Sequence, residues 1–254
     1  MFFEVDPVAY GAFMGRFSEP LAVLFADLAG VRAGQRALDV GCGTGALTGE
    51  LVRLLGVDAV SAVDPAAGFV AAMGERFPGL DVRTAAAEDL PFADDSFDVV
   101  LAQLVVSFMA DPVRGLREMA RVARPGGVVA ASVWDLAGDR APLSAFWRAA
   151  RSLDPDVDDE STRPGAREGD LARLCAEAGL VGIESGSLTV EVEHPSFEDW
   201  WEPYLLGVGP AGAHVAGLDR PGVEGLRERC RELQPPAPFT TQGTAWTVVA
   251  RAPA

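Results

Sequence analysis

Ala37-Leu38-Asp39-Val40-Gly41-Cys42-Gly43-Thr44-Gly45-Ala46-Leu47-Thr48 is the stretch whose reading decides the fold. Leu38 and Val40 form a short apolar run that reads as a buried strand. An acid and three alternating glycines end it, and a helical pattern (Leu47, Leu51, Leu54, Leu55) begins at once. Glycine takes backbone angles closed to other residues, and its missing side chain lets a ligand lie against the main chain. A strand, tight turn and helix in this order is where open α/β sheets rest an extended small molecule, at the carboxyl end of a strand. Gly41-x-Gly43-x-x-Ala46 meets the wording of the dinucleotide fingerprint, which alone is a weak signal.

Outward from the loop, Ala59 to Asp64 is a second short strand ending in an acid. Asp64 lies about twenty residues past the glycines, where a carboxylate can accept from both hydroxyls of a ribose. Pro65 to Phe77 reads as a helix with proline in its first turn. A third strand, Leu80 to Ala86, runs into Ala87-Glu88-Asp89-Leu90-Pro91-Phe92-Ala93-Asp94-Asp95-Ser96-Phe97-Asp98. Strand four, Phe97 to Ala102, is apolar on both faces, as a central parallel strand is. Gln103 follows it. Asp111 to Ala123 reads as a helix, Arg124-Pro125-Gly126-Gly127 as a turn, and Val128 to Trp134 as strand five.

The Asp39 to Gly45 loop resembles the adenosylmethionine loop of class I methyltransferases. The Ala87 to Asp98 segment resembles the Ala-Glu-x-Leu-Pro-Phe-x-x-x-Ser-Phe-Asp signature of the UbiE-like (methyltransferase type 11) family, and the Arg-Pro-Gly-Gly turn matches too. The resemblance covers residues 37–135 without a gap. It implies an α/β fold: a doubly wound, mostly parallel seven-stranded Rossmann-like sheet, its last strand antiparallel, with a helical lid. It implies S-adenosyl-L-methionine as cofactor. The contacts it implies are Asp39, Gly41, Cys42, Gly43 and Gly45 in the loop, Asp64 and Pro65 at the ribose, Ala87 and Glu88 at the adenine, and Gln103 beneath the methionine part. Many members carry Asp or Asn where Ala86 stands, so the adenine contact falls to main chain, Glu88 or Asp89. Asn/Asp-Pro-Pro-Tyr is missing after strand four, which counts against amino groups of bases or glutamine as acceptors.

The whole chain of 254 residues reads as a single methyltransferase domain. Its core covers about 31–135, 169–193 and 243–252, and lid or substrate elements cover about 1–30, 136–168 and 194–242. A net charge of −16 repels phosphate backbones and anionic lipid, so neither nucleic acid nor membrane is an expected partner. No apolar run is long enough to span a bilayer, and Met1 to Asp6 lacks the pattern of a secretory signal. Three distant cysteines, Cys42, Cys175 and Cys230, give no disulfide framework and fit the cytoplasm. Cys42 reads as a small residue or as a reactive thiol.

Around the core, residues 7–29 have helical spacing (Val8, Phe13, Phe17, Leu21) interrupted by Pro20, which predicts two helices. They form either a packed helix or a lid touching the cofactor. Asp154 to Glu160 reads as an acidic mobile loop. Gly169 to Leu180 is a helix, Ile183 to Val192 a strand, Val223 to Leu233 a charged helix and Ala245 to Ala250 the last strand. Methyl transfer needs no base when the nucleophile is good; a hydroxyl or an acidic carbon needs one. The candidates are His194, His214 and Tyr10, with Glu88 and Asp135 as rivals. No metal-binding set is apparent. Trp134, Phe146, Trp147, Trp200, Trp201, Tyr204 and Phe239 either line an acceptor pocket or pack the elaborations. The expected activity is methyl transfer to O, C or N of a small, fairly apolar molecule. An NAD-dependent oxidoreductase and a non-catalytic binding protein that kept the fold are the alternatives.

Overall fold

Strand and helix patterns alternate through the first half of the chain, and the structure places them as a parallel sheet between helices. This computed structural model describes residues 7–254, with side chains from Ala9 onward. The expectations for Met1 to Asp6 and for the side chain of Val8 lie outside the described residues. The chain opens with α1 (Pro7–Tyr10), a π-helical turn (Gly11–Gly15) and α2 (Arg16–Leu28). β1 (Ala37–Val40), α3 (Ala46–Leu55), β2 (Val60–Asp64), α4 (Ala67–Arg76) and β3 (Asp81–Thr84) follow. Next come β4 (Phe97–Gln103), α5 (Pro112–Val122), β5 (Ala123–Trp134), α6 (Ser144–Leu153), α7 (Asp170–Glu177) and β6 (Val181–His194). The short α8 (Phe197–Trp201), α9 (Gly209–Ala216) and α10 (Arg220–Leu233) lead to β7 (Phe239–Arg251).

The seven strands lie in the order β3-β2-β1-β4-β5-β7-β6. β7 is antiparallel to both neighbours and the other pairings are parallel. The chain moves outward from β1 in both directions, so β1 and β4 flank the switch point where such sheets open a crevice. Every residue of β1 and β2 is buried, because helices cover both faces. Phe25, Leu51 and Met73 from α2, α3 and α4 pack on one face. Leu116, Met119 and Leu174 from α5 and α7 pack on the other. A third cluster joins Phe13, Phe17, Phe146, Trp147, Tyr204 and Leu226, and so ties the N-terminal helices to the insertions after β5 and β6.

Three expectations need correction. The helix does not stop at Pro20; α2 runs through it, and the irregular turn lies upstream at Gly11–Gly15. Proline inside a helix costs about 3 kcal/mol through a lost hydrogen bond and a ring clash. Leu21 and Phe25 are fully buried and contribute about 1.5–3 kcal/mol each, so packing wins. The Ser18 hydroxyl also donates to the Met14 carbonyl at 2.9 Å. Second, Arg124 to Gly127 lies within β5, as an irregularity between the Phe97–Ala123 and Val99–Val128 pairs. Third, the acidic stretch ending at Glu160 is anchored. Asp159 caps a short helical turn through the Ser161 amide at 2.9 Å and pairs with Arg151, while Glu160 is buried.

Candidate functional site

Gly41, Gly43 and Gly45 all have positive φ (75°, 51° and 84°), so the loop uses glycine's freedom at each. The amides of Gly41 and Cys42 donate to the Val63 carbonyl at 2.8 and 2.9 Å, which holds the loop against the end of β2. Asp64, the next residue, accepts from the Gly43 amide at 2.9 Å through Oδ2 and from the Ala66 amide at 2.8 Å through Oδ1. Each oxygen keeps a lone pair for a further donor. Burial raises the Asp64 pKa, and the two amide hydrogen bonds oppose that rise.

A cavity of about 550 Å³ lies over the carboxyl ends of β1, β2 and β4. It brings together Gly41, Gly43, Asp64, Pro65, Ala87, Glu88 and Gln103, with Tyr10 closing it from the N-terminal helix. Asp39 and Cys42 lie beside it, lining a small recess under the loop. The buried Asp39 accepts from the Thr48 hydroxyl at 2.6 Å, and desolvation pushes its pKa up to about 7. Burial also raises the Cys42 thiol, which stays protonated at neutral pH. Gly45 lies outside both spaces. A Cβ there would stand 2.5 Å from the Met73 sulfur, so Gly45 lets α3 approach α4.

The catalytic candidates scatter. Tyr10 alone of the first three reaches the cavity; desolvation, then Asp64 and Glu160, push its phenol to about 12, so it stays neutral. Glu88 lines the cavity and accepts from the Asp111 amide at 3.1 Å. His194 is buried beside α8, with Nδ1 2.9 Å from Asp199 Oδ2, and burial lowers its pKa. His214 rests on Phe146 and Trp147, ring centroids 6.1 and 5.9 Å away. Asp135 is committed to Arg140 at 2.5 Å and to the Gly138 amide. Among the described residues no group of three or more side chains is placed to hold a metal.

A smaller apolar pocket of about 60 Å³ adjoins the cavity and shares Tyr10, Leu104, Ser107 and Phe108 with it. Of the predicted aromatic set only Trp134 lines this pocket. Phe146 and Tyr204 stack at 4.6 Å as part of the packing, and the others join the same cluster. Two residues here escaped the sequence. Leu104, at φ 63°, holds a left-handed conformation in the shared wall, a strain that marks functional sites and leaves no trace in residue type. Glu160 lines the apolar pocket from the acidic stretch, where neighbouring acids hide it. No helix among the described residues is long and apolar enough to cross a membrane.

A family described as a methyltransferase domain matches residues 38–131. The demethylmenaquinone methyltransferase of Beutenbergia cavernae is 35% identical over 64% of this chain and 72% of its own length. The ubiquinone/menaquinone biosynthesis C-methyltransferase UbiE of Bdellovibrio bacteriovorus is 40% identical over 39% of this chain and 44% of its own. Among solved structures, phosphoethanolamine N-methyltransferase 2 of Haemonchus contortus in complex with S-adenosyl-L-methionine superposes with a TM-score of 0.60. It is 17% identical, over 98% of this chain and 58% of that one, and the likeness is one of fold.

Proposed function

From a chain that belongs to the UbiE-like, methyltransferase type 11 family of class I S-adenosylmethionine-dependent methyltransferases, we propose methyl transfer to an O, C or N atom of a small, fairly apolar acceptor. One observation carries this reading: the cavity over β1, β2 and β4 opens, at Tyr10 and Leu104, on a pocket with apolar walls. The relatives named for quinone substrates support an acceptor of that kind.

The residues present fit the donor. Gln103 donates through Nε2 to the Ser18 carbonyl at 2.9 Å, and its buried Oε1 has no partner. A buried acceptor left unpaired costs about 1–3 kcal/mol, and a ligand ammonium would satisfy it. Gly43 has nothing within 4 Å of its Cβ position, so a ligand can approach the backbone there. In this reading Asp64 and Pro65 hold the ribose, Ala87 and Glu88 the adenine edge, and Gln103 the methionine part. Asp39 supports the loop from below through Thr48.

When bound, the donor supplies a methyl group on a positively charged sulfur. What remains for the chain is to orient the acceptor behind that methyl and to exclude water. The single domain then divides as the sequence suggests, into a sheet core and a cover. The aromatic cluster shared by residues 1–30, 136–168 and 194–242 supports one cohesive cover. Three free, buried cysteines support a reducing, cytoplasmic setting. Crystals grown with adenosylhomocysteine test the reading: nucleoside density along Gly41–Gly43 with the sugar on Asp64 supports it, and an empty crevice contradicts it.

A further inference from the structure

We propose that Glu160 receives the proton of an O–H or N–H group on the methyl acceptor, which makes the acceptor a small apolar molecule bearing a hydroxyl or amino nucleophile. This rests on the methyltransferase reading above and narrows it. Glu160 is the one carboxylate among the described residues lining the apolar pocket, and it is 4% exposed. Its neighbours in the acidic stretch, Asp154, Asp156 and Asp158, are exposed. A surface acid has water for company. A buried one needs donors, because desolvating a carboxylate is expensive unless hydrogen bonds replace the lost water.

Glu160 has few. Oε2 accepts from the Trp147 indole at 3.2 Å, and Oε1 forms an ion pair with Arg163 Nε at 3.6 Å, longer than a hydrogen bond. An ionised carboxylate offers about four acceptor sites. The remaining capacity lies in a pocket that shares Tyr10, Leu104, Ser107 and Phe108 with the cofactor cavity. The charged and titratable groups around it are Arg163 and Asp159 on its own turn, with Tyr10 and Tyr204 from the packed helices. Burial raises the Glu160 pKa, which makes it a better base at neutral pH than a solvated glutamate. Tyr10, held neutral, can orient the acceptor but not deprotonate it.

The step balances. The acceptor's lone pair forms the bond to the methyl carbon, and the carbon–sulfur bond breaks with its electron pair going to sulfur. The O–H or N–H proton passes to a Glu160 oxygen. The sulfonium charge and the carboxylate charge vanish together, and the Arg163 guanidinium that faced Glu160 keeps its positive charge. An acceptor without such a proton leaves Glu160 ionised and unused.

The test uses the full-length protein loaded with adenosylhomocysteine, with para-fluorophenol, para-fluoroaniline and para-fluorotoluene as probes read by fluorine NMR. Wild type at about pH 8 is expected to bind the phenol and the aniline about tenfold tighter than the toluene, the scale of one charge-assisted hydrogen bond. In Glu160→Leu the preference falls below about threefold. Glu160→Gln, which can keep the Trp147 contact, retains part of the preference. On lowering the pH to about 4, below the ordinary glutamate range, wild type loses its preference for the phenol over the toluene as the carboxylate protonates, whereas Glu160→Gln does not change. Equal affinities in wild type, a preference that survives in Glu160→Leu, or no binding of any probe overturns the proposal. Adenosylhomocysteine affinity stays within about twofold in both variants, because Glu160 lies outside the nucleoside cavity. Loss of that affinity in wild type itself contradicts the methyltransferase reading instead.

Discussion

The Gly43 amide donates to Asp64 Oδ2 at 2.9 Å, so the glycine loop and the acid ending β2 form one rigid unit although 21 residues separate them. A ligand that meets the loop therefore meets the carboxylate in a fixed geometry.

That coupling predicts the outcome of Asp64→Asn. The amide nitrogen cannot accept from Gly43 or Ala66, so one backbone donor loses its partner, at about 1–3 kcal/mol. Adenosylhomocysteine affinity is expected to fall about a hundredfold by calorimetry, since two sugar hydroxyls lose a charged acceptor as well. Affinity within about threefold of wild type contradicts the role given to Asp64.

Two glycine substitutions separate fold from binding. Gly41→Ala sets a Cβ 2.5 Å from a Val105 methyl at φ 75°, and loss of stability is expected. Gly43→Ala meets no atom within 4 Å at φ 51°, so its stability loss is about 1–2 kcal/mol. Its methyl occupies open ligand space, and nucleoside affinity falls more than stability does. Thermal melts with and without adenosylhomocysteine measure both; a Gly43→Ala protein with full ligand stabilisation contradicts the reading.

Asp39 predicts a pH dependence. Its folded pKa, about 7, lies above its ordinary 3.8, so the folded state binds a proton that the unfolded chain releases more readily. Stability from this group is full below about pH 4 and is lost as pH rises through about 7. Asp39→Asn removes that titration. Its stability relative to wild type should rise between pH 4 and 8 by about 2–4 kcal/mol in urea denaturation. A difference that does not change with pH contradicts this account.

Arg16 ties the N-terminal helix to the end of β6 and to α8, through Asp199 Oδ2 at 2.8 Å and the Glu193 carbonyl at 3.1 Å. Arg16→Ala is expected to lower stability by about 1 kcal/mol and Tm by about 2–4 °C. Because Tyr10 sits at the start of the same helical run, ligand affinity falls severalfold too. An unchanged Tm and affinity count against a tethered cover.

Where a local rule decides the structure, the chain is legible. Alternating glycines after Asp39 require a tight turn, and the acid ending β2 lines the same cavity as the loop; the motifs through Trp134 follow the same sheet. Pro20 misleads because the burial of Leu21 and Phe25 exceeds a local penalty. Gly45 reads like its neighbours, yet the space it leaves is filled by Met73. Glu160 and Leu104 are invisible for another reason. One is a glutamate at the end of a run of aspartates, set apart by its burial, and the other differs from ordinary leucines only in φ. Both properties arise from tertiary packing, for Glu160 in the insertion after β5 and for Leu104 at the end of β4, where residue type alone carries no sign of it.

Calorimetry of the wild-type protein with adenosylhomocysteine and with NAD tests the central claim most directly. We expect adenosylhomocysteine binding that Asp64→Asn weakens about a hundredfold, and no heat from NAD. Tight NAD binding without adenosylhomocysteine binding contradicts the placement of a methyl donor across the ends of β1 and β2.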